Sequence, residues 1–80
     1  MKLPRDVSGA DLAKGLARVG YRITRQTGSH IRMTLDGPPQ HHVTIPAHPE
    51  LKPGTLSVIL SVVGQHLQFD KEQLVSKLKL

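Results

Sequence analysis

The spacing of hydrophobic positions changes twice along the chain and divides it into helix, sheet and helix. Leu12, Leu16 and Val19 recur at helical spacing, with Lys14 and Arg18 on the opposite face. Ser8-Gly9-Ala10-Asp11 reads as a capping box ahead of that run, and Gly20 as its left-handed stop. From Tyr21 to Leu35 the period becomes two. Tyr21 and Ile23 alternate with Arg22 and Thr24, then Ile31, Met33 and Leu35 alternate with His30, Arg32 and Thr34. This pattern predicts a hairpin. A two-residue Gly28-Ser29 loop would pair Ile23 with Thr34 and mix the faces. A three-residue loop over Thr27–Ser29 instead pairs Ile23 with Met33 and Tyr21 with Leu35. That register also sets Gln26 opposite His30 on the polar face.

Asp36-Gly37-Pro38-Pro39-Gln40 is a loop by composition. His42, Val43, Thr44 and Ile45 then alternate again as a third strand, with Val43 and Ile45 inward, until Pro46 ends it. Pro53-Gly54-Thr55 opens a second helix whose core face is Leu56, Ile59, Leu60 and Val63, with Gly64 as its stop. Asp70 caps a short third helix, Gln73 completes the box and Phe69 staples onto Leu74; its length predicts fraying. The expected fold is a single α+β domain over residues 1–80: a helix, a three-stranded antiparallel sheet, a helix and a short C-terminal helix. Two helices cover one face of the sheet. The other face is open, lined by Arg22, Thr24, His30, Arg32, Thr34, His42 and Thr44.

A chain of 80 residues buries only about 60% of its unfolded surface, which disfavours a deep enclosed cavity. There is no cysteine, so disulfides and thiolate metal sites are excluded. No apolar run reaches the roughly 20 residues of a membrane span, and Met1–Asp6 lacks the apolar core of a leader. A soluble, cytoplasmic protein is expected. The formal charge is +5. Its distribution is lopsided: Lys2, Arg5, Lys14, Arg18, Arg22, Arg25 and Arg32 face only Asp6 and Asp11 in residues 1–35, whereas residues 36–80 balance. A basic half points to a polyanionic partner. With one Tyr and one Phe, stacking of bases on aromatic rings is not the binding mode, so phosphate contacts and shape must dominate.

The Gly28-Ser29-His30 turn places an imidazole beside arginines on the open face, equipped to move a proton on a negatively charged substrate. RNA carries its own nucleophile, the 2′-hydroxyl. One histidine can serve transesterification as base or acid, with Arg22 or Arg32 stabilising charge on phosphate, and the partner for the other proton transfer is left open by the sequence. His48 either helps to bind phosphate or caps its loop. His41, His42 and His48 invite a zinc reading, but adjacent strand residues point to opposite faces and no Cys, Asp or Glu ligand lies close, so no metal or other cofactor is expected. Val58 and Val62 lie away from the core face of the second helix. They form a surface for self-association or a partner, unless Leu74, Val75 and Leu78 fold over them.

Three motifs coincide in order: Gly28-Ser29-His30, Ile45-Pro46-Ala47-His48, and Gly54-Thr55-Leu56 with Ile59-Leu60. Together with a first helix ending at Gly20-Tyr21, they resemble the HicA family of mRNA interferase toxins over roughly residues 8 to 65. The resemblance implies a fold like the double-stranded RNA-binding domain, ribosome-independent mRNA cleavage and inhibition by a HicB-type antitoxin. It implies that His30 is catalytic; Ser29, Arg22, Arg32 and His48 are the candidate RNA-binding residues beside it. The chain departs from the family pattern at Ala10, Ser57 and Ser61, positions often basic in relatives, which lowers phosphate-binding charge there. The rival reading is a non-catalytic double-stranded RNA-binding module. Such modules concentrate Lys and Arg at the start of the second helix, where this chain has only Lys52.

Overall fold

A computed structural model describes residues 3–80; Met1 and Lys2, the start of the segment read as lacking a leader's core, lie outside the described residues. The chain runs α1 (Gly9–Arg18), β1 (Tyr21–Thr27), β2 (His30–Leu35), β3 (His41–Pro46), α2 (Pro53–Leu67) and α3 (Lys71–Leu78). The strands form an antiparallel sheet in the order β1-β2-β3. Leu12 and Leu16 of α1, Met33 and Ile45 of the sheet, Leu56, Leu60 and Val63 of α2, and Leu74 and Leu78 of α3 are essentially inaccessible to solvent. These form one core on one side of the sheet and leave the other side open, the α+β architecture expected from the pattern.

Local chemistry explains the boundaries. The Ser8 hydroxyl accepts from the Asp11 amide at 2.9 Å and the Asp11 carboxylate accepts from the Ser8 amide at 3.2 Å, satisfying two orphan donors of α1. Those bonds hold the Asp11 carboxyl below the usual carboxylate range. Asp70 and Gln73 cap α3 in the same way. Two expectations are corrected. The second helix passes through Gly64 and ends at Leu67, with Gln68 in the left-handed cap. Gly64 is needed for close packing instead: a Cβ there would lie 2.7 Å from the Phe69 carbonyl oxygen. The third helix, read as a loose end, is a packed element of the core. Leu74 and Leu78 are fully buried, and Gly15 lets the backbone of Leu78 approach α1.

The hairpin register is the third correction. Tyr21 pairs with Leu35 and Ile23 with Met33 as expected, but the loop has two residues, Gly28-Ser29, with Thr27 opposite His30 and Gln26 opposite Ile31. Gly28 has φ +50°, which suits the first position of a tight hairpin turn. A bulge between Ile23 and Arg25 absorbs the extra residue, so the short loop and the correct face coexist. Ile23 points to the helix side yet remains 53% exposed, because β1 is an edge strand that α1 covers only in part.

Candidate functional site

Cross-strand partners share a face, so the register arranges the open side of the sheet in rows. Thr27, His30 and Pro46 form the first. Arg25, Arg32 and Thr44 form the second, roughly 7 Å further along the strands. Arg22, Thr34 and His42 form the third, about 13 Å from the first. All of these side chains are exposed except Thr34, which is 2% exposed beneath its neighbours, and the half-buried Pro46.

Two backbone hydrogen bonds gather the end that carries His30. The Ala47 amide donates to the Ser29 carbonyl at 2.6 Å, and the Gly9 amide donates to the His48 carbonyl at 2.9 Å. The hairpin turn, the Ala47-His48 loop and the start of α1 are thereby clamped together. Gly9 makes this possible, since a Cβ there would collide with the Pro46 carbonyl oxygen. The backbone of Ser29, His30 and His48 is thus gathered at one end of the sheet, with His30 on the open face and Arg32 one row away. Arg22 is not free in the same sense. Its Nε and Nη2 donate to the two Asp36 carboxylate oxygens at 2.8 and 3.0 Å, and the pair holds the Asp36 carboxyl below its usual range.

Arg25 is the residue that sequence reasoning missed. Strict alternation from Tyr21 and Ile23 would send it to the helix side; the bulge returns it to the open face opposite Arg32. The available signal was the chemistry: Arg25 breaks the apolar series, and Gly28-Ser29 is itself a good two-residue turn.

The remaining histidines separate. His42 lies on the open face, where its Nδ1 is 2.8 Å from the Thr34 hydroxyl, itself 2.9 Å from the Thr24 hydroxyl. His41 lies on the helix side. Its Nδ1 is 2.6 Å from the Tyr21 hydroxyl, and its ring stacks on His66 at 4.2 Å with planes 9° apart. Burial, reinforced by the His66 and His42 charges, pushes the His41 pKa down, and burial pushes the Tyr21 phenol up. In-plane lone pairs of stacked rings do not converge on one ion. Val58 and Val62 are 63% and 42% exposed. α3 does not cover them, and α2 contains no Lys, Arg, Asp or Glu.

These features define a class: a small basic α+β domain with an open sheet face bearing histidine and arginine beside a clamped turn. Residues 9–65 match the family model for the HicA toxin of bacterial toxin–antitoxin systems. The chain belongs to that family, and membership makes it a toxin whose counterpart is an antitoxin. No curated protein matches it, and no solved structure does. No helix among the described residues is long and apolar enough to cross a membrane.

Proposed function

We propose that this toxin is a metal-independent endoribonuclease that cleaves mRNA in the cytoplasm without the ribosome, inhibiting translation, with His30 as the catalytic residue. The observation that carries the reading is the backbone clamp from Ser29 to Ala47 and from His48 to Gly9. It fixes an exposed imidazole at the edge of a face whose next row holds Arg25 and Arg32.

The chemistry needs no external nucleophile. A base removes the 2′-hydroxyl proton, the 2′-oxygen attacks the adjacent phosphorus, and the P–O5′ bond breaks as the 5′-oxygen takes up a proton. The products are a 2′,3′-cyclic phosphate and a 5′-hydroxyl. His30 supplies one of these proton transfers, a role that contributes about 10²- to 10⁴-fold. Arg25 and Arg32 hold the phosphate and stabilise the charge that builds on it. Ser29 and His48 flank His30 and contact the same strand. Arg22 reaches phosphate only by releasing Asp36. A HicB-type antitoxin inhibits by covering the basic open face. The uncharged α2 surface around Val58 and Val62 serves self-association.

The test is incubation of the purified chain with a defined mRNA in EDTA, followed by mapping of product ends. Cyclic phosphate ends formed in the presence of chelator are expected. RNA binding without cleavage would instead favour a non-catalytic RNA-binding module.

A further inference from the structure

The third row of the open face carries a polar arrangement that proton transfer at His30 does not use. Thr34 is buried, and its hydroxyl links Thr24 to His42 across the three strands. At the far end of this chain the Thr24 hydroxyl lies 3.4 Å from the Arg32 backbone oxygen, and a carbonyl only accepts. A Thr24 proton given to that carbonyl leaves the Thr24 oxygen to accept from the Thr34 hydroxyl, and the Thr34 oxygen to accept from His42 Nδ1–H. In that arrangement the ring proton resides on Nδ1, and the lone pair of Nε2 is the free one on an exposed ring.

Position and charge then restrict what this lone pair meets. His42 is about 13 Å from the His30 row along the strands, too far to act on the same phosphate. The arginine row lies between them. In the His42 row the only cation is Arg22, and Asp36 occupies both prongs of its fork. This end of the face is consequently rich in acceptors and poor in free positive charge, which suits a neutral donor and not a phosphate.

We infer that His42, oriented by Thr34 and Thr24, forms a nucleobase subsite that accepts an N–H from the exocyclic amino group of a base flanking the cleaved phosphate. Cytosine, adenine and guanine present such a group, and uracil does not. His42 is a specificity residue for the substrate class named under the proposed function. Thr34 is a positioning residue acting through it.

The inference rests on the RNA-binding part of that proposal, so its test uses binding in a cleavage-deficient background. Fluorescence anisotropy would compare oligocytidine and oligouridine single strands of equal length binding to His30→Ala, and to His30→Ala combined with His42→Ala or Thr34→Val. Paired pyrimidine ligands remove most of the difference in stacking. The expected result is several-fold tighter binding of oligocytidine by His30→Ala, with the ratio falling to near one when His42 is replaced. Nitrogen-15 spectra of the histidine rings would show the Nδ1–H form of His42 in the parent and its loss in Thr34→Val. A ratio near one in the parent, an unchanged ratio without His42, or an Nε2–H ring would each overturn the subsite. A chain that never cleaves RNA yet shows the His42-dependent ratio would overturn the nuclease reading alone.

Discussion

His30 is an ordinary exposed side chain by burial; its immediate surroundings distinguish it. Thr27 and Pro46 flank it across the sheet, and two guanidinium groups occupy the next row. If Arg25 and Arg32 hold the phosphate, replacing either by Ala lowers cleavage by about 10-fold and weakens RNA binding at every sequence, with a shallower salt dependence. Arg22→Ala has the smaller effect, because its fork is already filled by Asp36. Cleavage rates and binding measured across a salt series check both statements. The exposed His30 and Arg32 were legible from alternation alone. Arg25 was not, since a bulge is decided by pairing along the whole hairpin and a local pattern of period two carries no sign of it.

At the scale of elements, the site depends on backbone fit more than on side-chain contacts. Both capping boxes and the core face of each helix could be read from sequence because caps and amphipathic stripes are local. The roles of Gly9 and Gly64 could not, because each serves an approach between elements far apart in the chain. Gly9→Ala drives a methyl group into the Pro46 carbonyl and should cost about 1–3 kcal/mol. We expect a melting temperature lower by at least about 4 °C and a loss of cleavage greater than stability explains, because the clamp that carries His48 and Ser29 shifts. Thermal melts paired with cleavage assays at low temperature, where the variant is folded, separate the two effects. The close packing of α3 against the core escaped the sequence reading for a related reason. A short helix is marginal alone, and only Leu74 and Leu78 inserted against α1 and α2 hold it.

For the whole molecule, two surfaces matter beyond the catalytic edge. His41 is packed between Tyr21 and His66, with His42 adjacent in the chain, and burial holds its pKa below the ordinary 6.5. The folded state therefore prefers the neutral ring. That stabilisation is complete above about pH 6.5 and is lost as pH falls through the lower folded value. The melting temperature should decline on acidification from pH 7 through the window below 6.5. His41→Asn, which keeps an acceptor for Tyr21 without titrating, should flatten that decline. Along the same helix that carries His66, the uncharged α2 leaves Val58 and Val62 open. Val58→Asp with Val62→Asp should abolish concentration-dependent association in sedimentation while leaving the fold intact, because neither side chain enters the core.

The most direct test of the account is single-turnover cleavage of a defined mRNA by the parent chain and by His30→Ala, with circular dichroism and RNA binding measured on both. The account predicts a loss of about 10²-fold or more in rate, with secondary structure and RNA affinity retained. A folded, RNA-binding His30→Ala that cleaves at the parent rate would contradict it.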